Sequence, residues 1–249
     1  MKTEWDYTEL AKAYLKRPDY SEQAINQMLS LAGCVEGSTV CDVGAGVAHL
    51  TLMLLTRKLL VVSVEPNDEM RKYGVMRTKG MEGSEWFEGT GEDTGQENSV
   101  FDLVTFGSSF NVTNRQVALR ETKRIGKDKA WFAAMWNHRD LDDPVQKEIE
   151  GIIKAAIPEY GYGTRREDQT AEINESGLFG PVHKIEGGVM HSQNVIEMVE
   201  AWRSHATLQR QAGDKFHDII DDIEKMLISL DKDEINIPYT TRIWAAQLK

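Results

Sequence analysis

Asp42, Gly44 and Gly46 stand close together in the decapeptide Val40-Cys41-Asp42-Val43-Gly44-Ala45-Gly46-Val47-Ala48-His49, where the chain is best equipped for chemistry. Glycines here permit positive φ and bare backbone for a ligand to lie against, and the first N–H groups of a following helix lack intrahelical partners. A nucleotide-like ligand is expected. Glu65 follows Gly44 by about 20 residues, where a carboxylate ending the next strand accepts both ribose hydroxyls. Gly91, Glu92 and Asp93 come after a third strand, and an acid there can accept from an adenine amino group; Asp93 is the expected one. The dinucleotide fingerprint G-x-G-x-x-G would require glycine at position 49, and His49 stands there instead. Asp42 would repel a pyrophosphate but can hold a cation. S-adenosylmethionine, with its ammonium, fits that pattern.

The elements that must position these residues follow from periodicity. Short apolar runs alternate with helix-period segments between Val40 and Trp136, the pattern of a parallel α/β sheet with crossovers. Strands are expected at 39–43, 60–65, 84–88, 101–106 and 129–136. Helices are expected at 8–15, from Ser21 through Leu31, at 50–57, at 68–76 behind the cap Asn67, and from Thr113 or Asn114 to Arg124. Past the core, 143–157, 192–205 and 214–230 read as helices and 158–176 as a polar loop, with Pro158 enforcing the stop before it. Residues 235–248 read as two strand segments around Pro238. Trp131 and Trp136 fall on opposite faces of one strand and read as core.

Composition narrows the function classes. A length of 249 residues suits one domain, and 41% hydrophobic with 28% charged residues excludes a disordered chain. The net charge of −11 argues against a nucleic-acid partner, which needs clustered Lys and Arg. No apolar run approaches the roughly 20 residues of a membrane span, and no signal peptide is read at the N-terminus. Two cysteines, Cys34 and Cys41, without metal-ligand company suit a reduced cytoplasmic setting. The later histidines lack metal spacing, so no metal is expected.

The Asp-x-Gly-x-Gly of Asp42–Gly46 resembles motif I of class I S-adenosylmethionine-dependent methyltransferases. Phe101-Asp102-Leu103-Val104 is similar to that family's F-D-x-V. Tyr14, Arg17-Pro18 and Tyr20 resemble the Y…RPxY segment of its small-molecule branch (methyltransferase type 11), which includes trans-aconitate methyltransferases. Trp136-Asn137-His138-Arg139-Asp140 and Ile237-Pro238-Tyr239-Thr240-Thr241 resemble two later motifs, W-N-x-R-D and L-P-Y-x-T. Two positions depart from the pattern. Ala48 replaces the third glycine of G-x-G-x-G, a change expected to tighten the cofactor site by one methyl, and Ile125–Lys129 replaces an L-K-P-G-G turn.

The resemblance implies a three-layer Rossmann-like fold on a seven-stranded, mostly parallel sheet. The single domain 1–249 would divide into a helical lid (1–35), a cofactor core (36–137), a substrate cap (138–212) and a closing helix with strands (213–249). It implies S-adenosyl-L-methionine as cofactor, contacted by Tyr14, Arg17, Asp42, Gly44, Ala45, Gly46, Glu65, Pro66, Asn67, Met70, Gly91, Glu92, Asp93, Ser108 and Phe110. It also implies a small-molecule acceptor near Tyr20, Asn111, Trp136, Arg139 and Arg165. His138 is the candidate general base, its alternative an exposed loop histidine. Arg165 and Arg166 either grip an anionic acceptor or face solvent, and His49 reads as a structural helix residue. The expected activity is methyl transfer to O, N or C of a small molecule, a carboxylate among the options. Two other functions remain open: a non-catalytic S-adenosylmethionine-binding module and an NAD-dependent oxidoreductase.

Overall fold

A computed structural model describes residues 11–249. Its centre is one sheet of β1 (Thr39–Val43), β2 (Leu60–Val64), β3 (Ser84–Phe87), β4 (Phe101–Gly107), β5 (Gly126–Arg139), β6 (His183–Gln193) and β7 (Ile235–Gln247), in the order β3-β2-β1-β4-β5-β7-β6. Strands β1 to β5 pair in parallel, and β7 runs antiparallel between β5 and β6. Parallel strands are covered on both faces, so β1 and β4 are nearly continuous in buried residues. The chain leaves β1 toward β2 and β3, then crosses back to β4. That reversal opens a crevice at the carboxyl ends of β1 and β4, where open α/β sheets bind ligands.

Helices α2 (Glu22–Ala32), α3 (His49–Leu55), α4 (Asp68–Arg77) and α5 (Arg115–Ile125) flank the sheet, preceded by the short α1 (Ala11–Tyr14). The expected caps hold three of them. Ser21, Asn67 and Asn114 accept from the backbone N–H of Ala24, Met70 and Val117, each such cap worth about 1 kcal/mol. Trp136 packs on one face of the sheet with Phe106, Phe110 and Phe132, and Trp131 on the other with Met28, Met53 and Leu54. The two tryptophans thus occupy opposite faces, as their spacing requires.

A separate layer grows from the far ends of β5 and β7. Helices α6 (Pro144–Ala156), α8 (Val195–Arg203), α9 (Ala206–Ala212) and α10 (Phe216–Ser229) belong to it, whereas α7 (Thr170–Glu175) packs Ile173 into the sheet core beside α5. All but α7 share a core of Ile149, Ile153, Met198, Trp202, Leu208, Ile219 and Ile223 with Ile235 and Ile237 of β7. Among the described residues, no helix is long and apolar enough to cross a membrane.

Several boundaries differ from the sequence reading. Residues 8–10 of the expected first helix lie outside the described residues. Strand β6 is the sheet's edge and is covered on only one face, and that face carries Gly187, His191 and Gln193 beside Ile185 and Val189, so its sequence shows little apolar alternation. The helix expected from Ser192 therefore starts at Val195, where Asn194 and Glu197 form a capping box. Strand β7 is unbroken at Pro238. Its pairing with β5 stops at Tyr239 opposite Arg139, and Pro238 sits just past that ladder, where its carbonyl accepts from Asp140 N–H at 2.9 Å and no N–H of its own is needed. The polar 158–176 stretch contains a 3₁₀ turn, Gly163–Arg166, as well as α7.

Candidate cofactor and acceptor site

One cavity of about 1000 Å³ opens at the carboxyl ends of β1 and β4 and runs under α8 and α9. Its first half is built on the glycine loop. Gly44 and Gly46 have φ of +68° and +57°, and Gly44 lies so close to Ser109 that a β-carbon there would collide with its side chain. The loop is pinned by hydrogen bonds from the Gly44 and Ala45 N–H groups to the Val64 carbonyl at 2.8 and 3.1 Å. The Glu65 carboxylate accepts from Gly46 N–H at 2.8 Å and from Asn67 N–H at 2.9 Å. Glu65 is thereby fixed at the mouth of β2 with lone pairs to spare. Burial pushes its pKa up, while those two backbone donors oppose the shift.

Asp42 lies deeper and is inaccessible to solvent. Thr51 and Thr105 hydroxyls donate to its two oxygens at 2.7 and 3.1 Å. Desolvation still dominates, raising the carboxyl to about 6. An acid held in this state is stabilised as a carboxylate by any cation that enters the cavity.

The N-terminal segment straps over this half. His49 Nε2 donates to the Tyr14 carbonyl at 2.8 Å, and Nδ1 lies 2.7 Å from the Asp19 carboxylate. Arg17 stacks on the Tyr14 ring at 3.5 Å, Tyr20 hydroxyl meets Ser108 Oγ at 3.0 Å, and Lys16 pairs with Glu197 of α8 at 2.7 Å. His49 is thus the structural residue its helix position predicts. It ties the strap to the first turn of α3.

The second half differs in chemistry. Arg139, at the end of β5, stacks on Trp202 of α8 at 3.9 Å, and Arg166 stacks on Tyr162 at 4.3 Å. One Arg166 guanidinium nitrogen donates to the Arg139 backbone carbonyl at 3.0 Å, which fixes the Arg166 side chain at the end of β5. Burial and the neighbouring Arg139 charge both lower the Arg166 pKa. His138, Gln146, Arg210 and Tyr239 line the same chamber. The carboxylates lining the cavity are Asp42, Glu65 and Glu92, all from the first half.

Residues 41–134 match the methyltransferase domain family. The aligned segment holds β1 through most of β5 and the glycine loop just described. An uncharacterized methyltransferase of Mycobacterium tuberculosis is 30% identical over 137 residues, covering 55% of this chain and 54% of that protein. The chain thus spans about half the length of that curated relative. A putative methyltransferase from an antibiotic biosynthesis pathway of Anabaena variabilis shares the fold at a TM-score of 0.63 and 18% identity, over 92% of this chain and 98% of its own. Phosphoethanolamine N-methyltransferase 2 of Haemonchus contortus, solved with S-adenosyl-L-methionine, does so at 0.54 and 13%, over 95% and 56%.

Around the matched segment, most of the expected site residues converge on the one cavity. Tyr14, Arg17, Asp42, Gly44, Ala45, Gly46, Glu65, Pro66, Asn67, Met70, Gly91, Glu92 and Ser108 line its first half; Tyr20, Asn111, Trp136, His138 and Arg139 line it further along. Asp93 and Phe110 are not lining residues. Asp93 turns outward in a tight loop, its side chain accepting from Gly95 N–H, while Glu92 lines the cavity and accepts from Asn114 N–H at 2.5 Å. Phe110 is fully buried, edge-on to Phe106 and Phe132. Arg165 lies in the 3₁₀ turn, but its side chain lies outside the described residues.

His138 is not an exposed loop histidine: it sits within β5 and is 5% exposed. Ala48 does not narrow the cavity, because its methyl is buried at the start of α3 away from the lining; its departure from glycine shows as φ +75° in a non-glycine residue. Gln146, Tyr162, Trp202, Arg210 and Tyr239 were missed as site residues. They sit on helices, a loop and a strand whose sequence signal is amphipathic core, and only tertiary folding brings them to one chamber. Among the described residues, no group of three or more His, Cys, Asp and Glu could hold a metal ion.

Proposed function

We propose that the chain is an S-adenosylmethionine-dependent methyltransferase acting on a small organic acid. The observation that carries this reading is the division of one cavity into a half on the glycine loop that holds its carboxylates and a half with arginines and, among the described residues, no carboxylate. The acidic half suits the methyl donor: Asp42 faces a cation, Glu65 accepts from a ribose diol, and Glu92 stands where an adenine amino group needs an acceptor. Bound there, S-adenosylmethionine supplies an activated methyl whose transfer to a carboxylate oxygen breaks the carbon–sulfur bond, leaves the electron pair on sulfur and yields a neutral methyl ester.

The protein's own contribution is positioning and exclusion of water. Arg139 and Arg166 hold the acid, and the strap from Tyr14 to Tyr20 closes the donor side. A carboxylate carries no proton to remove, so His138 orients the acceptor and is not required as a base. Gly44 and Gly46 keep the loop backbone flush against the donor.

Titration calorimetry with S-adenosylhomocysteine, followed by mass spectrometry of a carboxylic-acid panel incubated with S-adenosylmethionine, tests the proposal. Binding with methyl-ester products is expected. Binding without any methylated product would favour the non-catalytic module, and NAD binding in place of S-adenosylhomocysteine would overturn the reading.

A further inference from the structure

The acceptor chamber carries more information than its charge. Its arginines are not free-standing: Arg139 lies flat on Trp202 and Arg166 on Tyr162, so each guanidinium is held by an aromatic face, and Arg166, which donates one N–H to the Arg139 carbonyl, has further N–H groups for a ligand beside those of Arg139. Arg139 has no carboxylate partner among the described residues. Beside this pair the wall is apolar, formed by Met198, Ala201 and Trp202 of α8 with Ile237 and Tyr239 of β7. Gln146 also lines the chamber, is 3% exposed, and its side-chain amide makes no hydrogen bond to any described residue. That amide borders the open chamber and offers a ligand one acceptor and two donors.

Size bears on the same question. Single-ligand pockets run to roughly 1000 Å³, and this cavity reaches about that volume with one half assigned to the donor. A volume at the top of that range leaves room for an acceptor body beside the donor. A site made for several carboxylates on a short carbon skeleton would also leave little use for a wall of Met198, Trp202, Ile237 and Tyr239.

We infer that the acceptor is an amphipathic organic anion, its carboxylate held by Arg139 and Arg166 and its aromatic or aliphatic body packed on α8 and β7, with Gln146 pairing to a polar substituent of that body. This rests on the donor and acceptor halves assigned under the proposed function. Desolvated apolar contact adds about 25 cal/mol per Å² buried, so the body, and not the charge alone, sets affinity. Gln146 and Trp202 are then specificity-determining residues.

The test is a binding series on the full chain, with and without saturating S-adenosylhomocysteine, using 3-phenylpropionate, octanoate, the neutral 3-phenylpropanol, and citrate. We expect the two amphipathic acids to bind at least tenfold more tightly than both the alcohol and citrate. Arg139→Gln should abolish the preference for acid over alcohol, and Trp202→Leu should weaken 3-phenylpropionate more than citrate. In each variant, retained S-adenosylhomocysteine affinity reports an intact fold. Citrate binding as tightly as 3-phenylpropionate, alcohol binding as tightly as acid, or no acid binding to a protein that binds S-adenosylhomocysteine would each overturn this inference and leave the proposed donor site standing. Failure of S-adenosylhomocysteine itself to bind would instead remove the reading on which it rests.

Discussion

The two halves of the cavity solve opposite electrostatic problems by different means. In the donor half, carboxylates are buried and kept ionisable by fixed local donors: threonine hydroxyls for Asp42 and backbone N–H groups for Glu65. In the half proposed for the acceptor, the Arg139 guanidinium is held by an aromatic face contributed from an element far away in the chain, and that of Arg166 by nearby Tyr162. Local hydrogen bonding can be written into a short motif. Stacking between Arg139 and Trp202 needs two elements 63 residues apart and a second core to hold them.

The largest expected effect separates the halves outright. Glu65→Ala removes the acceptor for Gly46 N–H and Asn67 N–H together with the expected ribose contact. At about 1.5–3 kcal/mol for each charged hydrogen bond, S-adenosylhomocysteine affinity should fall about 100-fold or more by calorimetry, with binding of 3-phenylpropionate to the free protein retained. A parallel loss of both would show that the halves are one coupled unit. The converse change, Arg139→Gln, should raise KM for an acid acceptor about 30-fold, from about 2 kcal/mol of a lost buried charge contact, and leave KM for S-adenosylmethionine unchanged.

Acidity gives a smaller test confined to the donor half. Because burial raises Asp42 to about 6 from 3.8, the folded protein keeps a proton that the unfolded chain releases between those values. Stability attributable to this group is therefore present at low pH and declines as pH rises through that window, by about 3 kcal/mol in total. A bound ammonium favours the carboxylate, so ligand affinity runs the other way. S-adenosylhomocysteine should bind about tenfold more weakly at pH 5 than at pH 7, and Asp42→Asn should flatten that profile. A profile unchanged in the variant would move the ammonium contact elsewhere.

The smallest effect concerns the loop itself. Ala48 holds φ +75°, which costs a non-glycine residue about 1–2 kcal/mol, while glycine gives back about 0.4–1 kcal/mol through the unfolded chain. Ala48→Gly should stabilise the protein by about 0.5 kcal/mol in urea unfolding and leave S-adenosylhomocysteine affinity unaltered. A change in affinity would mean that the methyl reaches the donor after all.

How far the site was legible in the sequence follows the same division. Asp42, Gly44, Gly46 and Glu65 were legible because each sits at a strand end or loop position whose geometry is fixed by its immediate neighbours. Asp93 was the wrong choice over Glu92 as the acid facing the cavity, since one tight turn decides which of two adjacent carboxylates points inward. Strand β6 is not legible because glycine, histidine and glutamine hold three positions of its covered face, Gly187, His191 and Gln193, leaving little apolar alternation.

By itself the sequence determined the α/β alternation, the caps at Ser21, Asn67 and Asn114, the glycine loop and the acids around it, since these depend on contacts within a few residues or on strand pairing set by periodicity. Only the tertiary structure decided the acceptor chamber. Arg139, Gln146, Tyr162, Arg166, Trp202 and Tyr239 come from separate elements, and their side chains meet because the α6, α8, α9 and α10 layer packs on the ends of β5 and β7. No local spacing encodes that packing.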